Sequence, residues 1–332
     1  MKPTTQTDPV NPVNPVKTTP LYRRVLVRAA GAALVLWAAA TVTFLALHLV
    51  PGDPVLVLLG GGSGSNPTPE TIAATRHAYG LDQPLYVQYA QHIGRLLVGD
   101  LGVSTSLKES VGTVITEQLP STLQLTALAL LFAWILGAVV VLLSTGRGTV
   151  GRALGSGLET VAAGLPHFWL GVVLLYVFAF RLGWFPVAGG TGLTGLVLPA
   201  LTLAVPLAGY LGQVTRGALL TALDQPFITS ARLRGMSPGA VRARRALRHA
   251  LLPPLTLSGW AVGALFSSEV VVEAVFARQG VGRALLNAVI ARDLPLVTGI
   301  VLLIATVYVL VNLAVDLLYA VVDPRVRTSR EI

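Results

Sequence analysis

Ala127-Leu128-Ala129-Leu130-Leu131-Phe132-Ala133-Trp134-Ile135-Leu136-Gly137-Ala138-Val139-Val140-Val141-Leu142-Leu143 is the centre of a stretch, Gln118 to Gly146, that contains no Asp, Glu, Lys or Arg. A helix needs about 20 mostly apolar residues to cross the hydrocarbon layer of a bilayer, and this window supplies them. Five more charge-free windows lie around it: Ala29 to Gly52, Thr160 to Phe180, Leu182 to Thr215, His249 to Ser268 and Leu294 to Val315. Helices satisfy every backbone donor and acceptor internally, which lipid demands. The pattern therefore predicts an all-α polytopic membrane protein with six transmembrane helices. Hydrophobic residues make up 53% of the chain and charged ones 12%, far from the average of soluble domains. The absence of cysteine removes disulfides and thiolate metal chemistry from consideration.

Residues 1–20, rich in Pro, Thr and Asn with the near-repeat Asn11-Pro12-Val13-Asn14-Pro15-Val16, are expected to be disordered. The first apolar run is much longer than the core of a secretory signal, and Leu49-Val50-Pro51-Gly52 is a poor cleavage site. Residues 21–52 thus read as a retained first span. The fourth window contains Pro199 and Pro206 but is too short for two crossings and a turn, so it reads as one span with an external lead-in. With six crossings and the N-terminus inside, seventeen of the 24 lysines and arginines fall on the cytoplasmic side. That bias predicts cytoplasmic termini, residues 323–332 included. The net charge of +9 is then a topology signal and implies no nucleic-acid partner.

Two polar segments are long enough to carry a function, one before the transmembrane core of 118–322 and one within it. Residues 53–117 are expected outside, with Gly60 to Ser65 as a flexible link. Thr68-Pro69-Glu70 opens a short helix that Gly80 closes, and Gln83-Pro84 opens another on which Leu85, Tyr89, His92, Ile93 and Leu96 share a face. That helix reads as resting on the membrane surface or docking an external partner. Residues 224–249 are expected inside: a helix over Phe227 to Arg234 ended by Gly235, then a second capped by Ser237, started by Pro238 and halted by Pro253-Pro254. Arg242, Arg245 and His249 share a face of the second helix. Spacing leaves two readings open, binding to anionic membrane lipid and insertion into a cytosolic partner.

Thr229-Ser230-Ala231-Arg232-Leu233-Arg234-Gly235-Met236-Ser237, followed by Arg248-His249-Ala250-Leu251-Leu252-Pro253, closely resembles the cytoplasmic loop motif of permease subunits of ABC importers. It is most similar to the dipeptide, oligopeptide and nickel branch. Further matches run along the chain: Leu47 to Pro54, Tyr79 to Pro84, Gly99-Asp100-Leu101-Gly102, Phe168-Trp169-Leu170-Gly171, Arg181 to Pro186, Val271 to Phe276 and Asp323 to Arg327. The resemblance implies a type I (MetI-like) importer architecture and a path shared with a second, homologous permease. It also implies two cytosolic ABC ATPase subunits, which hydrolyse the ATP, and an extracytoplasmic solute-binding protein. The coupling loop would comprise Thr229, Ser230, Ala231, Arg232, Arg234, Gly235, Ser237, His249 and Pro253, moving as a lever when the ATPases close. The chain departs from the pattern at Thr229-Ser230, where the wider family places Glu, at Arg278-Gln279 before Gly280, where Pro is usual, and in doubling Pro253-Pro254.

Other chemistry is weak. Gly146-Arg147-Gly148-Thr149-Val150-Gly151 fits a dinucleotide fingerprint but follows a membrane span and not a strand, so it reads as a turn. There is no Walker loop, HExxH or GxSxG, and the five histidines are scattered, so no cofactor, metal or catalytic site is expected. Carboxylates at membrane depth are functional suspects. Glu269 and Glu273 lie one turn apart near the outer end of the fifth span, and two readings stand, facing the translocation path or holding the partner subunit. Asp316, a turn after Asn312, reads as an interfacial carboxylate. The expected function is ATP-driven import of peptides, with nickel or another small solute as the alternative. A self-sufficient secondary transporter would need inverted repeats, and no convincing repeat is found.

Overall fold

The computed structural model of the chain describes residues 21–49, 53, 55–56, 59, 67–78, 80–190 and 192–322. The side chains of residues 21–25, 47 and 315–322 lie outside that description. The N-terminal Pro-rich segment, the glycine link, the motif at 323–327 and the side chain of Asp316 therefore fall outside the described residues.

Among the described residues the chain is helical, without named strands. Helix α1, Leu21–Leu49, carries the first apolar run. The proline-opened, glycine-closed segments form α2, Pro69–Ala78, and α3, Leu85–Leu97. Helix α4, Val111–Thr145, spans the second window, and α5, Gly148–Ala163, follows after a turn. Helix α6 runs His167–Leu174 and continues as the π-helical stretch Leu175–Arg181. Helix α7, Thr194–Leu223, is one helix through both prolines, as one span with a lead-in requires. Helix α8, Pro226–Leu233, is short. Helix α9 runs Pro238–Ala240, through π-helical Val241–Ala246, to Leu247–Ala250. Helix α10, Leu252–Val275, α11, Val281–Ile290, and α12, Leu294–Val322, complete the fold.

Among the described residues, five helices are long and apolar enough to cross a membrane singly: α1, α4, α7, α10 and α12. The span expected over Thr160 to Phe180 is carried by two helices. Helices α5 and α6 reach membrane-crossing length only together, and they meet at 100°. The physical reason lies in Gly164-Leu165-Pro166. The Gly164 amide closes the last turn of α5 on Thr160 and Val161 carbonyls, while Pro166 has no amide to donate and disfavours helical geometry at Leu165.

Helix α7 is the centre of the bundle, with 72% of its apolar window buried against 17% for α1. Its Leu203, Ala204, Leu207 and Leu211 meet Leu125, Ala129 and Ala133 of α4 and Ala261 and Leu265 of α10. Small residues let these helices approach closely, the main source of packing energy where lipid removes the hydrophobic drive. At Gly209 an added Cβ would lie 2.5 Å from the Ala163 amide nitrogen and 2.6 Å from the Glu159 carbonyl. The outward face is the apolar one: Leu131, Ile135, Val139 and Leu143 of α4, one turn apart, are all exposed. Helix α1 lies at the edge against α12.

Each end has its own core. At one end Val111, Val114 and Ile115 of α4 pack with Val281 and Ala288 of α11 and Leu296 and Ile300 of α12. Helix α3 belongs to this end and turns its apolar face onto α1. Tyr89 shares a 2.8 Å hydrogen bond with Thr41, and Phe44 contacts the rings of Tyr89 and His92. At the other end α8 and α9 close over the ends of α4 and α7.

Candidate functional site

The segment after α7 folds as two helices because its caps are well placed. Pro226 stands in the first turn of α8. Gly235 ends it at φ +81, a left-handed conformation that costs glycine little and other residues about 1 kcal/mol or more. Nothing lies within 4 Å of a Cβ added there, so backbone conformation and not space selects glycine. Ser237 accepts a hydrogen bond from the Ala240 amide at 3.3 Å, and Pro238 opens α9.

Both helices bury one side. Ile228 and Ala231 of α8 and Val241, Ala246 and Ala250 of α9 join Val141 of α4 and Leu219 and Ala222 of α7 in one cluster. Phe227 and His249 brace the two helices, their ring centroids 4.7 Å apart. Of the residues named from sequence, Ala231 is thus an anchor, fully buried. Thr229, Ser230, Arg232, Arg234, Gly235, Ser237, His249 and Pro253 are exposed. Leu233 projects furthest, 84% exposed, an apolar tip among arginines.

Two local expectations change. The π-helical stretch over Val241–Ala246 has a longer repeat than an α-helix, so Arg242 leaves the face it was assigned with Arg245 and His249. Its guanidinium lies against Gly146 at the end of α4, where an added Cβ would be 2.6 Å from Nη2. The prolines do not halt a helix at Leu252 either. The break falls at Leu251, and Pro253-Pro254 occupy the first turn of α10, where a missing amide costs nothing.

Glu269 and Glu273 are both 0% exposed, and neither faces an outer surface of this chain. Thr126 donates to Glu269 Oε1 at 2.5 Å. Thr122 donates to Glu273 Oε1 at 2.8 Å, and the Arg283 amide donates to Glu273 Oε2 at 3.0 Å. The Val281 amide in turn donates to Thr122 Oγ1 at 2.8 Å. The pair thereby ties α10 to α4 and to the first turn of α11. Gly280 makes this possible, because a Cβ there would stand 2.0 Å from Glu273 Oε1. Within this chain these carboxylates hold helices together.

Sequence reading missed two further polar sites. Arg216 on α7, counted there as a topology charge, is buried and donates from Nε to Glu159 Oε2 at 2.8 Å and from Nη2 to Glu159 Oε1 at 2.6 Å. Nη2 also donates to Ser144 Oγ at 2.7 Å. This bidentate pair binds α5 to α7 and α4. No local pattern announces it, since its members are 57 and 72 residues apart. Asp293, before α12, accepts from Ser104 Oγ at 2.5 Å, the Ser106 amide at 2.9 Å, Ser106 Oγ at 2.6 Å and the Leu296 amide at 3.2 Å. Burial pulls its pKa upward, but these hydrogen bonds outweigh it and hold the carboxyl below its ordinary value. Here a signal existed, because Asp followed by Leu294-Pro295 and an apolar run is a helix N-terminus.

An all-α bundle of apolar, membrane-length helices, with one basic helical turn projecting from an end, defines a polytopic integral-membrane protein. Comparison with known proteins gives the family. Residues 129–328 match the model of the binding-protein-dependent transport system inner membrane component, and residues 21–126 match that of its N-terminal region. A putative peptide transport system permease protein of Brucella abortus is 38% identical over 315 residues, covering 91% of this chain and 98% of that protein. The di/tripeptide transport system permease protein DppB of Pseudomonas aeruginosa is 37% identical over 321 residues, covering 87% and 94%. The glutathione transport system permease protein GsiC of Salmonella paratyphi A is 34% identical over 304 residues, covering 91% and 98%. Among solved structures, a chain of the inward-facing MetNI methionine ABC transporter superposes with a TM-score of 0.52 at 20% identity, covering 63% of this chain and 96% of that one. That likeness speaks to the fold alone. The chain belongs to the binding-protein-dependent inner membrane component family, the permease subunits of ABC importers. Membership sets aside the self-sufficient secondary transporter and implies ATPase and binding-protein partners.

Proposed function

We propose that this chain forms, with a second homologous permease, the translocation path of a peptide importer, and that α8 and α9 are the element through which two cytosolic ATPases drive it. On this reading both termini and the α8–α9 end are cytosolic, and the end carrying α2, α3 and α11 receives the extracytoplasmic binding protein. The basic bias of the α8–α9 side supports that orientation.

The observation that carries the coupling role is the division of labour within α8 and α9. One face is fixed into the bundle through Ile228, Ala231, Val241, Ala246 and Ala250, while Leu233 and the arginines around it stay outside. A rigidly rooted, outwardly free element transmits a push from a neighbour to α7 and α10, the helices it joins. Peptides are favoured over nickel because the aligned relatives over nearly full length are named for peptide, di/tripeptide and glutathione transport. Glu273, moreover, has both carboxylate oxygens occupied, by Thr122 and by the Arg283 amide.

The test is Gly235→Trp in the reconstituted transporter. The left-handed turn is lost, so dipeptide uptake and solute-stimulated ATP turnover are expected to fall together while the permease still inserts. Normal uptake in this variant contradicts the coupling role.

A further inference from the structure

Helix α7 is buried along most of its length, yet Tyr210, Gln213 and Gly217 break that burial at steps of three and four residues, one face of the helix. On α10, Trp260 and Ser267 are exposed two turns apart on one face. The two faces meet. The rings of Tyr210 and Trp260 stand edge to face, with centroids 6.1 Å apart and planes at 74°. Trp260 is also the near edge of a cleft of about 440 Å³ between α10 and α12, whose far wall includes Ala305 and Tyr308. The Tyr308 ring lies across Gly263, where a Cβ would be 2.4 Å from Cδ2. Glycine at 263 is thus what lets that ring approach the α10 backbone so closely.

Three aromatic rings, each between 41% and 49% exposed, form one continuous surface across three helices. Tyr210 Oη, the Gln213 amide, Trp260 Nε1 and Tyr308 Oη make no hydrogen bond among the described residues. All lie in the charge-free stretches of their membrane helices, where polar groups facing hydrocarbon are costly and as a rule face a water-filled cavity. The surface is also neutral, since residues 182–215, 249–268 and 294–315 contain no Asp, Glu, Lys or Arg.

We infer that Tyr210, Trp260 and Tyr308 are an aromatic wall of the translocation path on which the solute's neutral amide planes stack, with Gln213 and Ser267 offering hydrogen bonds to its backbone. The inference rests on the peptide-path reading above and deepens it. A wall without formal charge grips what every peptide has in common, the planar amide, and ignores the side chains that differ. A cation or a multiply charged solute finds no counter-charge on it.

The chain's lack of cysteine makes the test direct. Trp260→Cys and Tyr210→Cys are introduced singly into the full transporter, with its sibling permease, ATPases and binding protein, in proteoliposomes. Leu131→Cys on the apolar outward face of α4 is the control. Both wall positions are expected to react with a water-soluble thiol reagent and to be shielded by binding protein loaded with a neutral dipeptide, while Leu131→Cys stays inert. No reaction at either wall position overturns the proposal, because it places the face against lipid or the sibling subunit. Reaction without shielding by any solute overturns the contact. Shielding by nickel but by no dipeptide keeps the wall on the path, and overturns both the amide-stacking assignment and the peptide reading. In uptake, Trp260→Ala is expected to raise the dipeptide KM about tenfold with ATP turnover still stimulated, and Trp260→Phe to restore most of it. Loss of stimulated turnover in both variants marks a folding role instead and counts against the wall.

Discussion

The turn between α8 and α9 and the buried polar ties of the bundle use the same residue types to opposite ends. Around the turn, Arg232, Arg234, Arg244, Arg245 and Arg248 are exposed and carry no ion pair among the described residues. In the bundle, Glu159, Arg216, Glu269 and Glu273 are buried, and their partners are side chains and amides of the same chain. Charge at membrane depth is expensive, so it survives where it is matched internally. Charge at the turn costs little and remains available to a neighbour. The difference separates what holds this protein together from what it presents.

The comparison breaks most readily at Arg216. Replacing it with Met leaves the Glu159 carboxylate buried without its cation, a loss of about 3–5 kcal/mol by analogy with other buried pairs. The thermal midpoint of the purified permease should drop sharply. Adding Glu159→Leu to that variant should recover much of the loss, because removing both partners costs far less than removing one. By contrast Arg234→Met, on the exposed turn, should leave the midpoint nearly unchanged and lower uptake. Equal midpoints for the two single variants would erase the distinction.

A smaller effect sharpens it at the opposite end. The Asp293 carboxyl is held below its ordinary pKa by the serines and backbone amides around it, so the folded state favours its ionised form. Stability from this site is complete above the ordinary value of 3.8 and is lost as pH falls through the lowered one. Between pH 5 and pH 3, roughly the range where carboxyls titrate, the wild-type midpoint should fall more steeply than that of Asp293→Asn. Parallel acid profiles contradict the assignment.

How far the sequence discloses this molecule differs by the range of the interaction. The six windows are local counts of missing charge, and among the described residues five of them each carry a single helix long and apolar enough to cross a membrane. The third is carried by two helices that meet at 100°, a break set by Gly164 and Pro166 that a count of missing charge does not register. The turn at Gly235 was legible from the run of a short helix, a glycine, a capping serine and a proline, all neighbours in sequence. The phase of Arg242 was not, because a π-helical stretch obeys no spacing that α-helical periodicity can supply. Pairings between Arg216 and Glu159, or Thr126 and Glu269, depend on which helices become neighbours, and one sequence does not state that.

The most direct measurement places a cysteine at the exposed tip, Leu233→Cys, in this otherwise cysteine-free chain, and labels it with a membrane-impermeant thiol reagent in oriented vesicles. The account predicts labelling from the cytosolic face of the permease pair alone, and protection once the two ATPases are bound. Labelling from the exterior face, or unchanged labelling in the full complex, contradicts it.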